Sequence, residues 1–423
     1  MITLLGERAY LRQLATPRDM KAGIREMRKD EPDALVAGLR IASYPHFTEA
    51  GQTEFYEELY RWHRAHPLGD QMHRWVAETE EGEVVGHLNA LPQYYRVDGE
   101  RVVAHTPGDY MVLPGHGFHA IALMRRFFRA TENFVACDMV PAVIGVETRM
   151  GARVSGELEY AAKLLNVSRL PVPPVPGPLR RALNLPAHYA PARGYELLET
   201  GQSIEEEQDV VTPVRPRAPI PGPLKAVLNR ALAALDGVLS RGFGTDGQGK
   251  NLEVHEADAF DESFDEFFEK VAAVMPCVPE KDAAFLRWRY GPGSPQYPAR
   301  VLVVRGGRGL LGYAVLKTLH TGEDGFVMDL TVLPGHREAA RALLRESVRY
   351  FRKSGVHIIR YRYLPSPTSP GRDDLRRLGF FHRRGRRNWL LVRFAHERLH
   401  ALGMDPTNWS YNVGDGEATF WIR

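Results

Sequence analysis

Two aspartates stand in one eight-residue setting: Asp109-Tyr-Met-Val-Leu-Pro-Gly-His116 and Asp329-Leu-Thr-Val-Leu-Pro-Gly-His336 share six identities. His87, His105, His116 and His119 lie around the first copy, whereas the second has His336. Imidazole is the usual proton carrier near neutral pH, so this grouping points to proton transfer, with the first copy better supplied. Asp415 and Glu417 add carboxylates on alternate residues. On a strand they would face one side of a cleft, but Gly414 and Gly416 around Asp415 favour a turn. No histidine pair has helical metal-ligand spacing with a third ligand, so no metal is expected. Cys137 and Cys277 read as reduced, small apolar residues. The absence of a Gly-x-Ser-x-Gly sequence argues against an α/β-hydrolase.

The elements that position these residues repeat as well. Residues 74–79 and 84–91 alternate around the acidic turn Glu80–Glu83, a hairpin pattern that recurs as 300–305 and 310–316 around Gly306-Gly-Arg-Gly309. Each hairpin leads to its Asp-x-x-Val-Leu-Pro-Gly-His strand, then to a helix-period stretch, 120–128 or 338–351. A further strand follows (133–139 and 356–363), with a short helix closed by Gly151 or Gly379. Amphipathic helices at 54–62 and 260–274 precede the two copies. Between them, residues 166–250 are rich in proline, with Pro176-Gly-Pro-Leu-Arg-Arg-Ala-Leu-Asn184 echoed by Pro221-Gly-Pro-Leu-Lys-Ala-Val-Leu-Asn229, which predicts two short bracing helices. Domains are therefore expected at 1–165 and 251–423, with a connector at 166–250.

The 423 residues are 44% hydrophobic and 25% charged with a net charge of +3, an ordinary globular composition able to bury two cores. No apolar run approaches the roughly 18–20 residues of a membrane helix, so a cytoplasmic protein without a membrane partner is expected; the oligomeric state stays open. One charge asymmetry stands out, the arginines at 372, 376, 377, 383, 384, 386 and 387. They read as a solvated helix end and hairpin, or as a surface for the phosphates of a nucleotide-bearing donor or an RNA.

This order of elements, twice over, resembles the GNAT acyltransferase superfamily, and Asp282-Ala-Ala-Phe-Leu-Arg-Trp-Arg-Tyr290 resembles a signature of its tandem-domain bacterial members. The segment Trp409–Glu417 resembles their closing strand. The resemblance implies an α/β (α+β) protein with two tandem GNAT-like mixed-sheet domains joined by a proline-rich connector. It implies a donor, acetyl-CoA or another acyl-CoA, whose pantetheine pairs with exposed strand edges and whose pyrophosphate rests on helix N-terminal N–H groups. Those positions are Met111, Val112, Gly117, Phe118, His119, Ala120 and Ala122 in the first copy. In the second they are Thr331, Val332, Arg337, Glu338, Ala339, Ala340 and Ala342, where Glu338 brings negative charge toward a phosphate.

By the same resemblance Asp109 and Asp329 stand where an acidic base is often placed. The usual thiolate acid, a tyrosine four residues before the closing glycine, is replaced by Glu147 and Leu375. Glu147 would serve only if burial raised its pKa; Tyr110 or water is the alternative. The function implied is acyl-CoA-dependent transfer to a small-molecule amine. Two alternatives share the fold: transfer from an aminoacyl-tRNA, with tRNA as partner, and a non-catalytic binding protein.

Overall fold

The computed structural model describes residues 23–28, 30–43, 52–167, 222–239, 252–307, 309–319, 322–383 and 387–417. The first stretch contains β1 (Gly23–Glu26), α1 (Asp33–Ser43), α2 (Gln52–Arg64), β2 (His73–Glu78), β3 (Val84–Val97) and β4 (Glu100–Val112). It continues with α3 (Phe118–Ala130), β5 (Phe134–Asp138), α4 (Pro141–Arg149), β6 (Arg153–Glu157) and β7 (Glu159–Leu164). Then come α5 (Gly222–Leu239), β8 (Val254–Glu256), α6 (Glu262–Ala272), β9 (Cys277–Pro279) and α7 (Ala283–Tyr290). The last stretch holds β10 (Arg300–Gly306), β11 (Gly309–Thr318), β12 (Asp324–Val332), α8 (Arg337–Lys353) and β13 (Ile358–Tyr363). It ends with α9 (Arg372–Arg377), β14 (Phe381–His382), β15 (Trp389–Arg393) and α10 (Glu397–Met404).

Both expected hairpins form, β2–β3 and β10–β11, and β3 returns to β4 through Asp98 and Gly99 at φ 52° and 78°, the left-handed pair of a tight hairpin turn. The strands make two mixed sheets, ordered β1-β2-β3-β4-β5-β15-β6, with β9 on β3, and β14-β7-β13-β12-β11-β10-β8. In each sheet the strand that follows the motif helix runs parallel to the strand that precedes it.

The boundaries differ from a division at 165 and 251. The compact units are Met1–Leu158 with Ala259–Pro298 and Asn388–Trp421, and Glu159–Asp258 with Ala299–Arg387 and Ile422–Arg423. We call them unit one and unit two. β15, from the second repeat, lies between β5 and β6 in unit one; β7, from the first repeat, lies between β13 and β14 in unit two. A strand's alternation reports that one face is buried but not which sheet buries it, so a linear reading assigns both strands to the wrong neighbours. For the same reason α6, which precedes the second repeat in sequence, belongs to unit one. Of the connector, α5 is one 18-residue helix; the first proline repeat lies outside the described residues.

Unit one has a core on each side of its sheet. Leu123, Met124 and Phe127 of α3 pack on Trp75, Leu88, Phe134 and Leu391; Val36, Leu59 and Tyr60 of α1 and α2 pack on Val76, Leu91 and Met111. Unit two buries Ala339, Leu343, Leu344 and Phe351 of α8 against Leu316, Val327, Leu330, Ile359 and Tyr361. The helix period of 338–351 and the strand period of 310–316 together supply this core.

Candidate functional site

In unit one β4 and β5 share one register pair, His105 with Phe134, reinforced by Thr106 Oγ1 donating to Val135 O at 2.5 Å. Beyond it the two strands have no register pair among the described residues, although β4 runs on to Val112. A bulge explains the parting: opposite β3, Asp109 and Tyr110 take the place of one residue between Gly108 and Met111, and Asp109 has φ 51°. A left-handed aspartate is uncommon outside such a site.

The Asp109 side chain turns toward α1 and α2. Its carboxylate, 2% exposed as a residue, accepts from Arg40 Nη1 at 3.1 Å and Tyr60 OH at 2.6 Å, and lies 3.1 Å from His87 Nδ1. Burial would raise this carboxyl, but the bonds from His87 and Tyr60 and the charge of Arg40 outweigh it and hold it at about 2. Burial pushes the His87 imidazole down, so the ring is neutral. Its Nδ1 faces only acceptors, Asp109 O at 3.2 Å and Oδ2, which places the proton there. The carboxylate expected to take an amine proton is thus enclosed, with three donors around it and its pKa held low. Asp329 is 1% exposed and accepts from Tyr313 OH and Thr331 Oγ1, both at 2.7 Å, so it too is enclosed.

Glu147 is enclosed. It sits on α4 at 0% exposure, and neither carboxylate oxygen has a hydrogen-bond partner among the described residues. Burial, then the negative charges of Asp138 and Glu417, push its carboxyl well above the ordinary range, so it is neutral. Asp138 ends β5, and burial raises it too, although its Oδ1 accepts the N–H groups of Met139 at 2.6 Å and Val140 at 2.8 Å. Tyr110 packs against the α3-side core, as do Val143, Ile144 and Val146 of α4.

The C-terminal segment completes this site. Asp415 folds back onto Asn412 N at 2.8 Å in a short 3-10 turn, as Gly414 and Gly416 predict; a closing strand over 409–417 does not form. Glu417 instead accepts the backbone N–H of Asp109 at 3.2 Å. Arg289 Nη2, on α7, donates to Gly414 O at 2.7 Å and Gly416 O at 2.6 Å, so the Asp282–Tyr290 signature clamps this segment. Trp288 in the same helix stacks on Trp62 at 4.3 Å. Arg40, Tyr60 and Asp138 carry no local sequence signal, since their importance comes from partners remote in the chain.

Of the expected phosphate positions, Gly117 starts α3 without a side-chain cap and the first turn has no acidic residue. Phe118 is 52% exposed, while His119 and Ala120 are buried; Met111 and Val112 face opposite cores. In unit two β12 and β13 hold four register pairs, Asp324–Ile358 to Val327–Tyr361, and Val332 N–H is then taken by Thr368 O at 2.9 Å. Arg337 and Arg341 both bind the buried Asp374, at 2.5 and 2.9 Å, and Ala339, Ala340 and Ala342 are core residues. An open cleft of about 510 Å³ lies there, lined by Val332, Gly335, Arg337, Ser366, Arg372 and Asp373 among others. In the arginine cluster Arg372 pairs with Glu159 and Arg383 lies over the Tyr160 ring; Arg384 and Arg386 lie outside the described residues.

No family model matches the chain, and no curated protein matches it closely. Among solved structures it is similar to an Enterococcus faecalis V583 protein described as a probable N-acyltransferase, at 10% identity over 90% of this chain and 74% of that one, with a TM-score of 0.48. A GCN5-related N-acetyltransferase from Anabaena variabilis ATCC 29413 gives 12% identity, 89% and 73% coverage, and a TM-score of 0.49. Saccharomyces cerevisiae N-myristoyltransferase with myristoyl-CoA gives 12%, 89%, 82% and 0.47. At these identities and TM-scores the likeness carries no activity over, and what the chain does has to be read from its own residues.

Proposed function

We propose that the protein is an acyl-CoA-dependent N-acyltransferase whose chemistry occurs in unit one. The donor thioester enters where β4 and β5 part, its pyrophosphate rests on the uncapped N-terminus of α3, and an amine approaches the bulge. Backbone N–H groups at a helix start favour anions, and no acidic side chain in that first turn opposes them. The observation that carries the reading is Glu147, a neutral, fully buried carboxyl without a partner among the described residues, at the position the thiolate acid takes in the resembling family. A leaving thiolate needs a proton, and a carboxyl kept protonated by burial and by neighbouring anions can give one. Asp109 enters as a fixed anion that anchors the bulge and orients His87. Asp329 pairs in register with Val315, beside a bulge at Met328 in unit two. Calorimetric titration with acetyl-CoA and myristoyl-CoA tests the donor; no heat with either removes the reading.

The cleft of about 510 Å³ in unit two favours a second reading, in which the donor binds there. Glu338 in the first turn of α8, the Asp374 already bound to Arg337, and the Thr368 carbonyl on Val332 N–H weigh against it.

A further inference from the structure

The gap between β4 and β5 is bordered by a carboxylate that the Glu147 reading leaves unused. A methyl on Gly108 of β4 would lie 3.3 Å from Glu417 Cγ, and one on Gly416 would lie 3.2 Å from Cys137 Cβ of β5. The 416–417 segment therefore touches both parting strands, and the Glu417 carboxylate accepts from the bulge N–H of Asp109 at 3.2 Å. Glu147 is close enough to feel its charge. The two carboxyls differ in company: Glu417 has a hydrogen-bond donor, whereas neither Glu147 oxygen has one among the described residues.

We propose that Glu417 and Glu147 work as a base and acid pair, Glu417 taking the proton of the attacking amine and Glu147 supplying the proton that the thiolate carries away; this rests on the acyl-transfer reading. The amine nitrogen bonds to the thioester carbon, and its N–H proton passes to the Glu417 carboxylate. The carbon–sulfur bond breaks, its electron pair leaves on sulfur, and sulfur takes the Glu147 proton. Amide and free thiol are released with Glu417 protonated and Glu147 ionised, and one proton passed from the first to the second restores both. Other charged or titratable groups around Glu417 are Asp109 with Arg40, Tyr60 and His87, Cys137 and Asp138 on β5, and Tyr411, Asp415 and Arg289 around its own segment.

The test compares wild type with Glu417→Gln and Glu417→Asp, using acetyl-CoA and myristoyl-CoA as donors. The acceptor is the best amine from a panel of spermidine, lysine and a glycine-starting peptide. Glu417→Gln should leave the donor Kd within about two-fold, lower kcat by ~100-fold and erase the acid limb of kcat against pH. Glu417→Asp should keep that limb at an intermediate rate. Wild-type kcat and acid limb in Glu417→Gln overturn the proposal, as does tighter donor binding with unchanged kcat, which would make Glu417 a plug. A wild type that binds neither donor removes the acyl-transfer reading itself and this assignment with it; a donor-binding wild type that acylates no amine of the panel overturns the pair alone.

Discussion

The two Asp-x-x-Val-Leu-Pro-Gly-His segments build nearly the same closing turn and quite different chemistry at the aspartate. Gly115 and Gly335 take φ 88° and 86°; Leu113 N–H reaches Val85 O at 2.8 Å, as Leu333 N–H reaches Leu311 O at 2.9 Å. Both turns close with the histidine N–H on the leucine carbonyl, at 3.0 and 3.1 Å. Yet Asp109 meets an arginine, a tyrosine and a histidine from other elements, whereas Asp329 meets two hydroxyls. Repeated peptide fixes local geometry, and distant side chains decide what an identical carboxylate is for.

That contrast breaks first at the aspartates. Asp109→Asn removes the negative charge that pairs with part-buried Arg40 inside unit one, which should cost about 3–5 kcal/mol, whereas Asp329→Asn should cost about 1–3 kcal/mol, both read from denaturant midpoints. Equal losses would mean that Arg40 gains nothing from Asp109. Because the Asp109 carboxyl is held at about 2, its contribution is present above the ordinary aspartate range and is lost as pH falls through about 2; Asp109→Asn should show no such acid-side loss.

The second contrast concerns proton donors, since the position of Glu147 is held in the other repeat by buried Leu375. Glu147→Gln keeps the shape of the neutral acid but cannot give a proton, so kcat should fall by ~100-fold with donor affinity retained. Leu375→Met should leave kcat unchanged. Glu147 binds its proton more tightly folded than unfolded, so its contribution is complete below the unfolded carboxyl range and is lost as pH rises through its raised folded value. The melting temperature of Glu147→Gln relative to wild type should therefore climb with pH, as differential scanning fluorimetry would show.

Phosphate binding gives the smallest expected effect. Phe118 and Glu338 occupy matching places in the first turns of α3 and α8. Phe118→Glu should weaken acyl-CoA binding by ~5-fold or more, since one unit charge near the pyrophosphate costs about 1 kcal/mol even in water. Glu338→Gln should leave the Kd unchanged. A response to Glu338→Gln and none to Phe118→Glu would move the donor to unit two.

Element types were legible because periodicity reports burial of a face: the 54–62 and 338–351 helices and both hairpins lie where their patterns place them. Strand membership was not, because β7 and β15 look the same whichever sheet they enter. At the candidate site, spacing singled out Asp109, Glu147 and the α3 start, but it could not show that Arg40 and Tyr60, which lie in other helices, enclose Asp109. The burial of Glu147 was not legible because the α4 sequence, Pro-Ala-Val-Ile-Gly-Val-Glu-Thr-Arg, has no clean helical stripe to say which face is inward. His-rich composition around Asp109 pointed to proton carriers, but Glu417, outside that neighbourhood in sequence, is the residue that touches the bulge.

The placement of β15 between β5 and β6 also sets a clock. Chains are made from the N-terminus, and the neighbour that joins these two strands is the last strand to be synthesised. On the ribosome, β7 must wait for β13 while β5 and β6 wait for β15, so neither sheet can be finished as a local event. A transcript stopped before Trp389 should yield a polypeptide with two open strand edges, prone to self-association. A full-length chain nicked in the connector should instead keep its fragments together on gel filtration, since each sheet is woven from both. The repeat that looks like two separable halves in print is made as a single commitment.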